Sequence, residues 1–160
     1  MLVELCFGTL LFLICFFWGF TALNGVVFQV VTSNQQNIKN NVTVKSPWNL
    51  VVGDNCWLGE GCWIDNLDKV FIGSNVCISQ GAMLLTGNHD YTISSMPYRN
   101  AAIHIGDGAW IGAKTVVCPG VTVHDNAVLT VGSVAAKDME ADGIYQGNPA
   151  VKIRERKIKE

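Results

Sequence analysis

A branched aliphatic residue returns every six positions through the centre of this chain and limits the folds it can adopt. These residues are Val52, Leu58, Ile64, Ile72, Ile78, Leu84, Ile105, Ile111, Val117, Val123 and Leu129, and the smaller Ala135 ends the series. Two breaks interrupt the period: a two-residue slip after Ile64, and a longer excursion after Leu84 that contains His89. A fixed short period predicts a solenoid, in which each turn packs only against its neighbours.

Two further positions of the hexad are regular. The fifth is small or narrow, as in Cys56, Cys62, Val76, Ala82, Ala109, Thr115, Val121, Ala127 and Ser133. The fourth is often a residue that tolerates positive φ, as in Asn55, Gly61, Asn75, Gly81, Gly87, Gly108, Gly120, Asn126 and Gly132. A short strand followed by a tight corner explains both patterns. Three hexads per turn predict a triangular coil of about eighteen residues and about four coils, with weaker candidates for one more at Ile38, Val44 and Leu50.

Other fold classes fit this pattern less well. No stretch of the repeat has aliphatic residues at the spacing of an amphipathic helix, and each glycine would cost about 1 kcal/mol inside one. An antiparallel sandwich also has many short strands with Gly and Asn turns, but it does not explain the constant period of six. The sequence therefore predicts an all-β solenoid.

Composition excludes some partners and compartments. The net charge of -2 and the pI near 5.9 provide no basic surface, so nucleic acid is not expected as a partner. The six cysteines contain no CxxC pair. We therefore expect free thiols in a reducing compartment and not a disulfide framework or a zinc knuckle.

The N-terminal segment is apolar on all sides. Residues 5–38 carry no charge, and a helix over residues 5–23 would be about 28 Å long, close to the thickness of a bilayer core. Three interpretations remain open: a membrane-associated segment, a cap on the solenoid, or an aberrant start of the reading frame. Lys39 and Lys45 follow the segment and favour a cytoplasmic downstream domain. The predicted organisation is an N-terminal segment and linker (1–37), a β-solenoid (38–150) and a tail (151–160).

The hexads at residues 72–77 and 105–110 have the form aliphatic-Gly-x-x-small-x and resemble those of the hexapeptide-repeat acyltransferases. Further stretches look most like colanic-acid-type O-acetyltransferases of exopolysaccharide biosynthesis: Trp57-Leu58-Gly59-Glu60, Trp63-Ile64-Asp65-Asn66-Leu67, Gly87-Asn88-His89-Asp90, Trp110-Ile111-Gly112-Ala113, Cys118-Pro119-Gly120-Val121 and Gly147-Asn148-Pro149-Ala150. The resemblance covers about residues 38–157. It implies a left-handed parallel β-helix, an exception to the usual right-handed crossover, and the spacing alone does not give this handedness.

The resemblance also implies a function. We expect acetyl transfer from acetyl-CoA to a hydroxyl of a sugar or lipid-linked glycan precursor, with acetyl-CoA as co-substrate and no metal. We expect a homotrimer with sites at the subunit interfaces. The expected location is the cytoplasm or the cytoplasmic face of the inner membrane, with membrane association through residues 5–23.

His89 matches the catalytic histidine of the family. An alcohol is a weak nucleophile at neutral pH, and a histidine that removes its proton contributes about 10² to 10⁴ in rate. Asp90 could orient the imidazole or cap the turn, and Asn88 is a further acceptor candidate. Asp65 and Asn66, at the slip beside Trp63, could bind a sugar, although an Asp-Asn pair is also ordinary turn chemistry. Residues 92–100 of the excursion could close over the acceptor.

The donor positions also come from the resemblance. It implies a groove between neighbouring subunits, with Gly112 and Ala113 near the thioester and Trp110 lining the same groove. The remaining predicted contacts are Val131 and Gly132 along the pantetheine, Ala136 and Lys137 toward the phosphates, and Arg154 at a phosphate or the adenine.

Rival hypotheses follow from the same residues. His89, His104 and His124 could form a zinc site, although they lack ligand-like spacing, and a cysteine could form an acyl-enzyme. Other acceptors are a small soluble sugar such as maltose, serine or a xenobiotic. A non-catalytic β-helical assembly module is the alternative outside the enzymes.

Overall fold

The structure is a computed structural model that describes residues 21–23, 26–28, 31–32 and 37–159. These residues form a left-handed parallel β-helix of about five turns, as predicted. Most of the apolar segment lies outside the described residues. Its last residues, Thr21–Leu23, form a strand and not the end of a helix. Within the described ranges, no helix has the length and apolar character needed to cross a membrane.

The strands stack into three parallel sheets, preceded by an antiparallel hairpin of β1 (Thr21–Leu23) and β2 (Val26–Phe28). Sheet I contains β3 (Val31–Thr32), β6 (Leu50–Val52), β9 (Val70–Ile72), β12 (Ile103–Ile105) and β15 (Thr122–Val123). Sheet II contains β4 (Asn37–Ile38), β7 (Trp57–Leu58), β10 (Cys77–Ile78), β13 (Trp110–Ile111), β16 (Val128–Leu129), β18 (Gly143–Gly147) and β19 (Ala150–Glu155). Sheet III contains β5 (Thr43–Val44), β8 (Trp63–Asp65), β11 (Met83–Leu85), β14 (Val116–Val117) and β17 (Val134–Ala135). A short 3₁₀ helix covers Pro47–Asn49.

The aliphatic residues of the hexads form the core. All twelve first positions, from Val52 to Ala135, are no more than 3% exposed, and every predicted fifth position is equally buried. The register places these residues in columns, since Leu58 pairs with Ile78 and Ile78 with Ile111. The periodicity therefore identified the interior correctly.

The fourth positions turn the chain through positive φ, with two departures from the prediction. Asn55, Asn75 and Asn126 have φ of 54°, 59° and 58°. Gly87 is not among the positive-φ residues; its lack of a side chain serves close packing, because a Cβ there would lie 2.9 Å from Leu67 Cδ1. Lys114 has a φ of 54° and takes the turning role in its own hexad.

The three places where the count of six fails lie at one edge of the prism, the corner between sheets III and I. This III/I corner comprises residues 46–49, 66–69, 86–102, 118–120 and 136–138. The predicted N-terminal coil is present. However, Val52 and not Leu50 pairs with Ile72, so a second two-residue insertion lies between Val44 and Val52.

The C-terminal residues complete sheet II. β19 pairs antiparallel with β18, so the predicted tail begins as a strand of the sheet. Beyond β19, Arg156 Nη1 donates to the carbonyl oxygens of Gly108 and Asn126 at 2.8 and 2.9 Å. These bonds fasten the end of the chain across two coils.

Candidate functional site

The excursion at residues 86–102 is a braced hairpin. His89 and Tyr98 form an antiparallel bridge, and Arg99 N–H donates to the Asn88 carbonyl at 2.7 Å. At its base, the Thr86 hydroxyl, which is fully buried, donates to the Asp65 carbonyl at 3.0 Å. Residues 91–100 are all exposed. The fold therefore holds an exposed loop in a defined conformation.

His89 is oriented by a backbone carbonyl. Its Nδ1 lies 2.6 Å from the Met96 carbonyl oxygen. Because a carbonyl oxygen can only accept, Nδ1 carries the proton and Nε2 of the neutral ring presents a lone pair. The Tyr98 ring lies against the imidazole with a centroid separation of 4.7 Å. This arrangement suits a general base that accepts its proton at Nε2.

Asp90 caps the loop and does not orient the imidazole. Its Oδ1 accepts bonds from the Thr92 N–H at 3.0 Å and from the Thr92 hydroxyl at 2.5 Å. These bonds lower the pKa of the Asp90 carboxyl. Asn88 has a similar local role, since its Oδ1 accepts the His89 N–H at 2.8 Å. The sequence left both roles of Asp90 open, and the geometry supports the cap.

The predicted acceptor pair at the slip divides into two environments. Asn66 is fully buried, and its side-chain amide bonds both the N–H and the carbonyl of Ser46, at 2.8 and 2.6 Å. These contacts leave no polar atom of Asn66 exposed to an acceptor. Asp65 is partly exposed, and its Oδ1 lies 3.0 Å from Lys45 Nζ. Of the pair, only Asp65 keeps part of its side chain exposed, although its Oδ1 is itself buried.

Five of the predicted donor residues lie at the corner between sheets II and III. A cavity of about 400 Å³ at this II/III corner is lined by Trp110, Gly112, Ala113 and Val131, together with Ser79 and Thr130. Gly132 follows Val131 in the same turn and has a φ of 69°. The structure therefore brings these residues into one groove.

The groove is built from tight turns. At Gly112, a Cβ would lie 2.5 Å from the Leu129 carbonyl oxygen, so only glycine fits between the stacked coils. The Ala113 N–H, at the turn, donates to no group within the described part of the chain. Trp110 borders the groove with its Nε1 donating to the Ser79 hydroxyl at 2.9 Å. The bond fixes the indole, and the free N–H is available to a ligand.

The other predicted donor residues lie elsewhere. Ala136 and Lys137 follow β17 and are exposed at the III/I corner, while Arg154 is exposed on β19. A second cavity of about 570 Å³ continues the II/III corner toward the N-terminus, and it is lined by Ile38, Lys39, Asn40, Trp57, Gly59, Glu60 and Gln80. Lys39 Nζ lies 4.1 Å from the centroid of the Trp57 ring there.

One chain does not bring its two halves of the site together. His89 lies at the III/I corner and Ala113 at the II/III corner, on opposite edges of sheet III. Cys118 is the first residue of the III/I corner in the coil that contains Ala113. The chain takes five residue steps from Ala113 to Cys118 across sheet III, which corresponds to about 16 Å at 3.3 Å per residue. His89 and Ala113 lie at nearly the same height along the coil axis, because His89 follows β11, Ala113 precedes β14, and these two strands are neighbours in sheet III.

The described residues contain neither an assembled zinc site nor an activated cysteine for an acyl-enzyme. Within residues 37–159, no three His, Cys, Asp or Glu side chains come together as metal ligands, and His104 stacks on Phe71 with a centroid separation of 4.8 Å. The described cysteines are free. Burial raises the pKa of the Cys56, Cys62 and Cys118 thiols, which keeps them protonated and poorly nucleophilic.

Sequence reasoning missed several residues of these sites. Met96 acts through its carbonyl, which no residue pattern reveals, and Ser79 matters only through its contact with Trp110. Tyr98 lies in the segment 92–100 that the sequence predicted to close over the acceptor, but its contact with the His89 ring was not predicted. These contacts depend on how the chain returns on itself.

Comparison with known proteins agrees with this architecture. The family model described as "Hexapeptide repeat of succinyl-transferase" matches residues 102–134. The putative colanic acid biosynthesis acetyltransferase WcaF of Escherichia coli (strain K12) is 36% identical over 119 residues, which is 74% of this chain and 65% of that protein. The chain thus spans about two thirds of the length of this curated relative.

Solved structures extend the comparison. A maltose O-acetyltransferase from Clostridium difficile 630 superposes with a TM-score of 0.76 at 30% identity, over 82% of this chain and 71% of that one. A galactoside acetyltransferase in complex with coenzyme A gives a TM-score of 0.68 at 28% identity, over 75% and 62%. Repeat, core and sequence identity agree, and the chain belongs to the hexapeptide-repeat acetyltransferase family.

Proposed function

We propose that this protein transfers the acetyl group of acetyl-CoA to a hydroxyl of a sugar or glycan precursor in exopolysaccharide biosynthesis. The observation that carries the proposal is the geometry of His89, whose Nδ1 donates to the Met96 carbonyl at 2.6 Å and whose Nε2 is left as a base. Such a base suits a hydroxyl acceptor, because an alcohol must lose its proton as it attacks.

The reaction proceeds by direct transfer. The acceptor hydroxyl gives its proton to His89 Nε2 while its oxygen attacks the thioester carbonyl carbon and forms the new C–O bond. The C–S bond then breaks, and the departing sulfur of coenzyme A takes the proton from His89. The Ala113 N–H, which has no partner among the described residues, donates to the carbonyl oxygen as it gains negative charge.

The II/III groove holds the donor. Trp110, Gly112 and Ala113 lie near the thioester, while Val131 and Gly132 follow the pantetheine. Ala136 and Lys137 lie at the other corner, so they contact the phosphates of a donor bound to the adjacent subunit. Arg154 on β19 contacts a phosphate or the adenine. Support comes from the related galactoside acetyltransferase that was solved in complex with coenzyme A.

Three copies complete the sites. The outer face of sheet III carries an apolar row of Trp63, Met83, Val116 and Val134, with Trp63 42% exposed. If this face of each copy is turned toward a common threefold axis, the III/I corner of one copy meets the II/III corner of the next. Each of the three junctions then contains one His89 and one Ala113 at nearly the same height, and the apolar row is covered.

The acceptor lies at the III/I corner, beside the excursion. Asp65 and the exposed residues 91–100 surround it, while Asn88 and Asp90 hold the loop in place. The likeness to WcaF, named for colanic acid biosynthesis, favours a glycan precursor. Because the chain is also similar to maltose and galactoside acetyltransferases, small soluble sugars are tested as acceptors as well. The expected location remains the cytoplasm or the cytoplasmic face of the inner membrane.

Labelled acetyl-CoA tests the proposal directly. The purified protein is incubated with glycan precursors, simple sugars, serine and chloramphenicol, and the label is followed into each acceptor. We expect transfer to a sugar hydroxyl, and His89→Ala should lower kcat by about 10² to 10⁴. His124→Ala, which changes an exposed histidine at another corner, is the matched control. Unchanged turnover in His89→Ala would refute the mechanism, and transfer only to serine or chloramphenicol would refute the acceptor class.

A further inference from the structure

Nothing in the described part of the chain accounts for the exposure of Trp48. It is 80% exposed, about twice as much as the other described tryptophans, Trp57, Trp63 and Trp110. An indole stabilises a fold by burying apolar surface, and Trp48 buries very little of its own. A large aromatic side chain held in solvent is therefore available to a ligand.

The turn that carries Trp48 is rigidly held. The Asn66 amide bonds the N–H and the carbonyl of Ser46, and Asn49 Nδ2 donates to the carbonyls of Asn66 and Leu67, at 3.2 Å in each case. Trp48 thus lies between two residues that are anchored to the next coil. A side chain on a fixed backbone loses less entropy when it binds a ligand.

Trp48 lies at the same corner as His89, two coils away. Residues 46–49 pack on Asn66 and Leu67, and Leu67 packs under Gly87, where an added Cβ would lie 2.9 Å from Leu67 Cδ1. Neighbouring coils are about 4.8 Å apart, so the Trp48 turn lies about 10 Å along the coil axis from the start of the excursion. A glycan whose reacting hydroxyl is at His89 extends over this distance with its other sugar rings.

A polar pair lies at the start of the turn that carries Trp48. Lys45 precedes the turn and its Nζ is 3.0 Å from Asp65 Oδ1, with the two side chains 51% and 19% exposed. Sugar rings have an apolar C–H face that packs on an aromatic ring, and hydroxyls that bond charged and polar groups. Trp48 offers the aromatic face, and the half-exposed ammonium of Lys45, held by Asp65, offers the polar contact.

We infer that Trp48 is a specificity-determining residue that stacks against a non-reacting sugar ring of the acceptor, so that the enzyme prefers an oligosaccharide to a monosaccharide. This inference rests on the proposed function, and it narrows the acceptor to glycans of at least two rings. A second copy of the chain is the alternative occupant, because the III/I corner that carries Trp48 meets the II/III corner of the next copy in the proposed trimer, and sedimentation of the Trp48 variants separates the two.

The test measures how binding and transfer depend on acceptor length. Mono-, di- and trisaccharides of glucose and galactose, and fragments of a hydrolysed bacterial exopolysaccharide, are titrated by calorimetry and assayed with labelled acetyl-CoA. We expect the wild type to bind at least one oligosaccharide about tenfold more tightly than its monosaccharide, as expected for one stacked ring. Trp48→Ala should lose this advantage with kcat within about twofold, and Trp48→Phe should keep most of it.

Each outcome decides the inference. A wild type without length preference, or a Trp48→Ala variant weakened equally for short and long acceptors, overturns it. A change in sedimentation coefficient, or a large fall in melting temperature, in Trp48→Ala assigns the indole to a subunit or chain contact instead. Trp48→Gln repeats both measurements with a longer polar side chain, so that an effect of truncation to alanine is separated from the loss of the indole. Failure of the proposed function is distinguishable, since no sugar would then receive label while calorimetry still reports the length preference.

Discussion

The III/I and II/III corners are built from the same repeat, yet they differ in regularity. At the II/III corner every turn has the same length, and Gly59 and Gly112 allow the coils to stack closely. At the III/I corner the chain is longer in three successive coils. The inserted residues do not form the regular backbone hydrogen bonds between coils, and side chains bond their backbone groups instead. A β-helix tolerates insertions where a polar side chain can satisfy the freed backbone groups. The regular corner forms a groove, and the irregular corner carries His89, the proposed base.

The first prediction asks whether the two corners act across a subunit interface. His89→Ala should remove the base and Ala113→Trp should fill the groove, so each variant alone is expected to be nearly inactive. Co-assembly of the two should restore about a quarter of wild-type activity, since random trimers pair intact corners at about one junction in four. The measurement is acetyl transfer after co-expression.

Sedimentation and circular dichroism of each variant serve as controls for assembly and folding. If co-assembly restores no activity although mixed trimers form, both corners of a site belong to one chain, and the interface arrangement is wrong.

The second prediction tests how the irregular corner is stabilised. Asn66→Ala leaves the Ser46 N–H without its partner and removes one of the two donors to the Ser46 carbonyl, which keeps only the bond from the Asn49 N–H, and this should lower the free energy of unfolding by about 1 to 3 kcal/mol. Asn88→Ala, which changes an exposed asparagine on the same corner, should change it by less than about 1 kcal/mol. Urea denaturation measures both. Equal stability of the two variants would contradict the structural role of Asn66.

The third prediction concerns the regular corner. Gly112→Ala places a Cβ 2.5 Å from the Leu129 carbonyl, and the backbone shift should cost about 1 to 3 kcal/mol and weaken coenzyme A binding. Gly61→Asn is the matched control, because position 61 is open, has a φ of 67°, and takes the conformation that asparagine adopts at residues 55, 75 and 126. Calorimetric titration with coenzyme A should separate the two. Unimpaired binding by Gly112→Ala would show that the groove does not depend on close stacking.

The smallest expected effect concerns the cap of the excursion. The bonds from Thr92 lower the pKa of Asp90, so their contribution is present above the ordinary value of 3.8 and is lost as the pH falls through the lowered pKa. Thr92→Val removes the hydroxyl and should raise this pKa toward its ordinary value, with activity near neutral pH within about twofold of wild type. A carboxyl titration by NMR checks the shift. A pKa that stays low would mean that another group holds the carboxylate.

Much of the candidate site could be predicted from residue patterns, and the remainder depends on contacts between distant residues. His89, Gly112 and Ala113 lie in motifs that can be read along the chain, and the structure places them at the III/I and II/III corners of the prism. Asn66 lies beside Asp65 in the same slip, but it turns inward to Ser46. No local signal separates these neighbours, because the difference depends on a backbone segment twenty residues earlier.

The sequence by itself determined the repeat, the buried columns and the position of the break at His89, because each hexad meets the same steric and hydrophobic demands. Only the tertiary structure decided that the three insertions share one corner, that the Met96 carbonyl fixes the tautomer of His89, and that Ala136 and Lys137 lie away from the groove that holds Ala113. These features depend on how many residues each coil uses before it returns to the same edge. Two extra residues in one coil decide whether a side chain at that corner faces the interior or the solvent, while the hexads before and after the insertion keep their period of six.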